Sequence, residues 1–539
     1  MESPFSGMLK TNYIPLDTEV EQIRQLITGQ VEMLLRLEEL ITHLSDRDLI
    51  DDLTQDRDAL NEYIQDHHAL ISGARRMPRD VVEEVFIHCL SADHNARMRS
   101  YEAPIKLGRI CGSWREICLT CPRLWSSLHV DADSVPDDKL QLQVEAAEIW
   151  LIRSGARLLS LSFSVRPHDY RNGPLIYESE TIQQLMHVFS ACSRRWKSLD
   201  ISMPMSSFSS WSPSLTTVDV PMLEVVKFRL LDPSPKFDTS MVLPMILRAQ
   251  SLRIISLSGA MDQPSTFAPY WGRLTTLSLL STWGRMSSLG WQCALVVLHH
   301  ASNLKKCSLQ LSSESSPSLP AGLPQGVTTL LHLESFRLDA LGSRQILTDF
   351  LDMLIMPSLK HLAISTDAGA LSNIPFASFL TQPDVIETME LKLHAFPPDR
   401  LMELLAFVPS LRGLCLVENV VRDYGSILNR DIIKQLTPNT SGYCLCPRLE
   451  EVRICAALAD NSRLFKFLKT RINSEHLGVT RLQRAVLAFA QWGRLVDYDE
   501  KRLNENLRYM PDYVHPITDY HWRKFDEAAW KKGWAYSDC

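Results

Sequence analysis

Apolar residues recur along this chain in two rhythms, a helical one near the start and a strand-like triplet over most of the remainder. Between residues 17 and 71, Ile27, Leu34 and Ile41 fall seven apart, and Leu37 and Leu44 fill the second heptad position. Leu53 and Leu60 resume the spacing after the polar break Ser45-Asp46-Arg47-Asp48. The spacing predicts helix, but the heptads are too few for a long coiled coil. Residues 17–72 are therefore expected to form a helical hairpin packed on the next domain, or else a short coiled-coil arm able to dimerise. Residues 1–16 are expected to form a flexible N-terminus.

The rhythm tightens after residue 76. Pro78 sits where a helix can begin, because its missing N–H would be unpaired there. Asp80, Glu83 and Glu84 put negative charge in the first turns, where the helix dipole favours it. Val81, Val82, Val85, Phe86, Cys89 and Leu90 then form one continuous apolar stripe. After the polar stretch Ser91 to Ser100, a second stripe runs through Leu107, Ile110, Cys111, Trp114, Ile117 and Cys118, followed by Pro122-Arg123-Leu124-Trp125-Ser126-Ser127-Leu128. Three short helical pieces carry more apolar residues than their own core needs, which points to an apolar partner surface.

The second rhythm is a triplet of the form L-x-x-L-x-L. It occurs at Leu223/Val226/Phe228, Leu252/Ile255/Leu257, Leu274/Leu277/Leu279, Leu304/Cys307/Leu309 and Leu333/Phe336/Leu338. It continues at Leu359/Leu362/Ile364, Ile386/Met389/Leu391, Leu411/Leu414/Leu416 and Leu449/Val452/Ile454, with a weaker early copy at Trp196/Leu199/Ile201. Start-to-start spacings of 29, 22, 30, 29, 26, 27, 25 and 38 residues lie in or near the range of leucine-rich repeats. Helix-like stretches such as Arg344 to Leu354 and Arg400 to Phe407 precede several triplets. A strand and a helix that cannot bury their own apolar face must stack on their neighbours. The Asn that ends the strict motif occurs only at Asn419, which predicts irregular turns. A conventional parallel α/β sheet is the alternative.

The expected fold is α+β overall: an N-terminal helical arm, a three-helix module over 76–128, and a curved α/β leucine-rich-repeat-like solenoid over 129–490. Ile149-Trp150-Leu151 with Leu158, Leu161 and Phe163 reads as a helix and strand forming its first repeat or cap. Ser315 to Gly326 reads as an exposed loop. Leu482, Val486 and Ala488 read as a last strand. Residues 491–539, with Trp522, Phe525, Ala529 and Trp530 at helical spacing, read as a C-terminal cap or a partner-binding tail.

Composition narrows the function. The chain has 539 residues, 45% of them hydrophobic and 22% charged, which is ordinary globular composition. Its formal charge of -7 provides no basic footprint for nucleic acid or membrane. No signal segment opens the chain, and no apolar run is long enough to span a bilayer. Twelve cysteines scattered through apolar patterns suit buried thiols in a reducing compartment, so a cytoplasmic or nuclear protein is expected. Cys118-x-x-Cys121 and Cys444-x-Cys446 lack further metal ligands, His67-His68 and His299-His300 lack an acidic or cysteine set, and no nucleotide-loop or hydrolase motif occurs. No catalytic residue, metal or cofactor is expected.

The segment 76–128 resembles the F-box proteins. The matching residues are Met77-Pro78-Arg79-Asp80-Val81-Val82 with Val85-Phe86, then Ile110-Cys111 with Trp114, then Leu124-Trp125 with Leu128. Its specific form is similar to the F-box proteins abundant in mushroom-forming fungi. It departs from the family pattern at Met77, where Leu is commoner, and by a long insert at 91–104. The resemblance implies a non-catalytic substrate-recognition subunit of a cullin–RING ubiquitin ligase, docked on the Skp-type adaptor through Met77, Pro78, Val82, Val85, Phe86 and Leu107. Ile110, Cys111, Trp114, Leu124 and Trp125 are expected to hold the module together. The repeats would then present a protein substrate to residues beside the strand leucines: Lys227, Arg229, Lys306, Gln310, Arg337, Asp339, His361, Glu390, Lys392, Glu451 and Arg453. Their mixed charge argues for a protein partner over nucleic acid. An F-box scaffold without a ligase role and an unrecognised α/β enzyme are the rival readings.

Overall fold

The structure, a computed structural model, describes residues 3–499 apart from 45, 133–136, 166–179, 205–206, 209–210, 212–218, 232–245, 248, 259–270, 281–288, 313–323, 325, 342–343, 367–379, 381–382, 394–397, 418–429, 440, 457–460, 475–477 and 490–493. The chain divides into two compact units, one from Met1–Val130 and Gln141–Leu161, the other from Asp131–Leu140 and Ser162–Cys539.

The first unit opens with the hairpin that the heptads anticipate: α1 (Asp17–His43) and α2 (Arg47–Leu70). The carboxylate of Asp46 caps α2 by accepting the Asp48 N–H at 3.2 Å. At the other end the Glu19 carboxylate accepts the Leu16 N–H at 2.8 Å and the Tyr13 hydroxyl at 2.7 Å, and these bonds hold its pKa below the usual range. Ile23 and Ile27 pack with Leu60, Ile64 and Leu70. The expectation of a flexible N-terminus is corrected here. Phe5 is buried in that same core, and the Lys10 ammonium bonds Glu62 at 2.8 Å. Tertiary contacts of this kind pin a segment that carries no periodic signal.

α3 (Arg79–His88), a 3-10 turn at Leu107–Arg109, α4 (Gly112–Thr120) and a second 3-10 turn at Pro122–Trp125 follow. The insert at 91–104 is partly buried: Ala96 lies inside, its carbonyl accepts the His129 N–H at 2.8 Å, and Arg97 bridges His129. β1 (Ser127–Asp131), α5 (Asp137–Arg153) and β2 (Leu159–Ser164) come next. This helix and strand read from sequence as a first repeat or cap. Most of the helix and the first half of the strand belong to the first unit, where the Trp150 indole donates to Ser127 O at 3.1 Å and the Ser160 N–H to Ser126 O at 3.0 Å.

The second unit is built on a large sheet whose strand order follows chain order. Its strands are β3 (Trp196–Pro204), β4 (Val225–Leu231), β5 (Ile254–Ser258), β6 (Thr276–Leu280), β7 (Lys306–Ser312) and β8 (Ser335–Leu341). They continue as β9 (His361–Thr366), β10 (Thr388–Leu393), β11 (Gly413–Val417), β12 (Glu451–Ala456) and β13 (Arg484–Phe489). Neighbours from β3 to β13 pair in parallel. The triplets stand in register: Leu199, Val226, Ile255, Leu277, Cys307, Phe336, Leu362, Met389, Leu414 and Val452 are successive partners across ten strands. All ten are buried. A one-residue slip would turn a whole row to the other face, so a shared buried row enforces the alignment. Beyond β13 the sheet departs from the repeat, since Arg494–Asp499 adds as an antiparallel strand β14.

Helices precede many of these strands: α6 (Glu180–Ser190), α7 (Trp291–His300), α8 (Arg344–Asp352), α9 (Pro398–Phe407), α10 (Arg430–Leu436) and α11 (Asn461–Ile472). Apart from α7, where Cys293 to Leu298 are all buried, each buries a stripe at helical spacing, as Leu401, Leu404 and Leu405 do in α9 and Leu464, Phe467 and Leu468 in α11. Arg471 at the end of α11 is fully buried. It donates to the carbonyls of Leu436 at 2.9 Å, Leu445 at 2.6 Å, Cys446 at 3.1 Å and Pro447 at 3.4 Å. It thereby satisfies a segment of irregular backbone between α10 and β12 that has no ladder of its own. Asn419, the aromatic residues Trp522, Phe525 and Trp530, and Ala529 lie outside the described residues, as does most of Ser315 to Gly326.

Candidate interaction surfaces

The short helix α3 begins where Pro78 leaves extended backbone (φ −54°, ψ 144°), and the Val82 N–H closes the first turn on Pro78 O at 3.1 Å. The paired apolar positions then separate. Val82 and Phe86, four apart, are buried, and Phe86 meets the edge of Trp114 at a centroid distance of 4.9 Å. Val81 and Val85, also four apart but about 100° round the helix, are 43% and 44% exposed. Met77 is 36% exposed, and Pro78 is exposed as well.

This divides the residues expected at the adaptor contact. Met77, Pro78 and Val85 lie on the surface, with Val81 beside them. Val82, Phe86 and Leu107 belong to the interior. A helix with apolar residues at i, i+1, i+4 and i+5 carries a stripe wider than one core contact needs, so half of it faces outward. The signal for Val81 was present in the spacing.

The expected core needs one correction. Ile110 is 57% exposed. The second stripe does not continue as one helix through Cys111, whose backbone is extended (φ −154°, ψ 171°) and which caps α4 as its Sγ accepts the Trp114 N–H at 3.5 Å. That break turns Ile110 outward. Leu124 and Trp125 are buried as expected, and Trp114 is half-buried. The Trp125 indole donates to Cys118 O at 2.7 Å, its ring meets Trp150 at 4.6 Å, and the Arg153 guanidinium lies 4.7 Å from its ring centre. Arg79 bonds Glu83 at 2.9 Å and also reaches Thr120, while Arg123 bonds Glu84 at 2.8 Å, tying α3 to the segment after it. Burial pushes the Cys118 thiol up to about 11, so Cys118 of the Cys118-x-x-Cys121 pair stays protonated and packed.

On the sheet, residues between the triplet leucines face away from the leucine rows. Asp200, Lys227, Ser256, Ser278, Ser308, Arg337, Ala363, Glu390, Cys415 and Arg453 are successive partners in one such row. Lys227 and Arg229 on β4 are half-buried and exposed respectively. Several other candidates spend their charge on each other. Arg337 pairs with Asp339 at 3.4 Å, and Arg453 with Glu451 at 2.9 Å, where Arg484 also approaches at 3.7 Å. Glu390 and Arg453 are buried. His361 meets Thr388 Oγ1 at 2.8 Å, and burial lowers its pKa despite the nearby Glu387 carboxylate. Lys306 and Gln310 are half-buried on β7, and Lys392 follows Glu390 by two positions on β10 with its side chain outside the described residues.

The remaining sequence candidates are structural. His67 is buried, with Nδ1 donating to Tyr63 O at 2.7 Å and Nε2 hydrogen-bonded with the Ser3 hydroxyl at 2.8 Å. His299 and His300 are exposed, and their rings meet edge to face with centroids 5.5 Å apart. Cys444 and Cys446 are buried thiols close to Arg471, and burial pushes Cys446 up to about 12. Among the described residues, no group of three or more His, Cys, Asp and Glu could hold a metal ion. No helix of the described residues is long and apolar enough to cross a membrane.

No family model matches this chain, and no curated protein matches it.

Proposed function

We propose that the protein is a substrate-recognition subunit of a cullin–RING ubiquitin ligase, with 76–128 an F-box that docks on a Skp-type adaptor. The observation that carries this reading is the two-faced helix α3. Val82 and Phe86 complete the interior of the small helical module, while Met77, Pro78, Val81 and Val85 remain an apolar surface with nothing of the module over it. Apolar anchors of this kind dominate interface energy when a partner desolvates them. The module is non-catalytic on this reading and sits in the cytoplasm or nucleus.

We read the strand-and-helix units of β3 to β13 as a leucine-rich-repeat-like solenoid that presents a protein substrate on the face opposite the leucines. The in-register triplets support it. Of the residues expected to meet substrate, Arg229 is exposed, Lys227, Lys306 and Gln310 are half-buried, and Arg337 with Asp339 and Arg453 with Glu451 form ion pairs within the sheet.

Co-purification with the Skp-type adaptor tests the reading. Wild type is expected to retain the adaptor and cullin, and Met77→Ser with Val85→Lys to lose both while staying folded. Absence of adaptor from wild type, or equal retention by the variant, overturns it. Adaptor binding without a substrate whose level depends on the face opposite the leucines would instead make the protein a scaffold.

A further inference from the structure

The hairpin carries a surface that neither the module nor the sheet explains. Its first half is anchored by the core around Phe5, but no described residue between 28 and 59 is buried. α1 there has two apolar columns, each repeating every seven residues. Ile27, Leu34 and Ile41 form the seam read from the sequence. One residue earlier stand Leu26, Met33 and Leu40, about 100° away on the helix, with Leu37 and Leu44 between the two columns on the helical wheel. Leu34 and Leu37 pack against the core around Phe5, and Ile41 and Leu44 are half-buried, whereas Met33 is 48% and Leu40 54% exposed. A column that repeats every seven residues, alternating by three and four with a neighbouring column, accepts knobs from another helix.

Charge decides which helix. Residues 17–70 hold fourteen acidic and four basic side chains, a formal charge of −10 in a chain whose total is −7, so the remaining residues together carry +3. Between 28 and 59 there are nine acidic residues and three basic ones. Asp48, Asp51, Asp52, Asp56 and Asp58 line the exposed positions of α2, and Glu32 and Glu39 those of α1. A second copy of this hairpin would bring the same charge to the contact, and like charges across an interface select against that pairing. A helix with basic residues flanking its apolar seam complements both the spacing and the field.

We propose that the distal hairpin, through Met33, Leu40 and Leu44, docks a basic amphipathic helix of another protein. The inference is independent of the ligase reading. Its test uses the full chain and a labelled synthetic peptide of about four heptads, with Leu at a and d and Lys at e and g, read by fluorescence anisotropy. A matched peptide with Glu in place of Lys is the control. The Lys peptide is expected to bind and the Glu peptide not to. Met33→Ser with Leu40→Ser, which leaves every charge in place, should weaken binding at least about tenfold, the effect of losing central apolar anchors. Both residues are exposed, so the variant is expected to keep its helical circular dichroism. Equal binding by that variant would mean that charge alone attracts the peptide and would overturn the proposal. So would a wild-type dimer in sedimentation that the same substitutions dissolve, because the occupant would then be a second copy.

Discussion

Val85 and Phe86 are neighbours in the chain with opposite expected roles, and separating them tests how α3 is divided. Phe86 is wholly buried and packs its ring against Trp114. Phe86→Ala removes that ring and leaves a cavity the module cannot fully collapse, a loss of about 3–5 kcal/mol. For a unit of this size each kcal/mol moves the midpoint by about 2–4 °C. The first unit should therefore melt about 6–20 °C lower, the product of those two ranges. Val85→Lys removes no buried contact, and its ammonium sits in the last turns of α3, where the dipole favours a cation. Its expected effect on stability is within about 0.5 kcal/mol. Adaptor retention should show the reverse for the folded proteins, lost in Val85→Lys and kept by Phe86→Leu, which conserves most of the buried volume. Differential scanning calorimetry and co-purification on the same preparations read both quantities. If Val85→Lys lowers the midpoint as much as Phe86→Ala, or if Phe86→Ala melts like wild type, the division of α3 into an inner and an outer face is refuted.

Arg471→Met should destabilise the second unit by at least about 3 kcal/mol, because four carbonyls lose their donor inside the protein; a urea midpoint close to wild type would refute its role as a clasp. Trp125→Phe keeps the aromatic packing but leaves Cys118 O without its indole donor, at a cost of about 1–3 kcal/mol, measurable in the same way and refuted by a midpoint equal to wild type. Burial lowers the pKa of His361 in the folded protein, so the unfolded chain binds a proton that the folded chain does not. The contribution of His361 to stability is therefore complete above the ordinary histidine value of about 6.5 and declines as pH falls through and below it. His361→Gln should flatten that part of the profile between about pH 7.5 and about pH 5, and an unchanged slope in urea titrations would count against it.

Sequence periodicity alone determined the row structure of the sheet. Leu223/Val226/Phe228 and the triplets after it occupy aligned strands, because a parallel strand that buries one face must place its apolar residues with period two and match its neighbours. The hairpin was legible for the same reason, since helical spacing and the polar break from Ser45 to Asp48 are local signals. Which half of the α3 stripe turns inward was not legible, because Val81 and Val82 are chemically alike and only the position of Trp114 distinguishes them. Ile110 was misplaced because the helical rhythm reads smoothly through Cys111, while the backbone there is extended to cap α4. The pairing of Arg337 with Asp339 and of Arg453 with Glu451, the burial of Phe5 and the clasp of Arg471 on four carbonyls were likewise decided by tertiary structure. Pattern reports which side chains want to leave water, while the geometry of the folded chain decides what each of them meets.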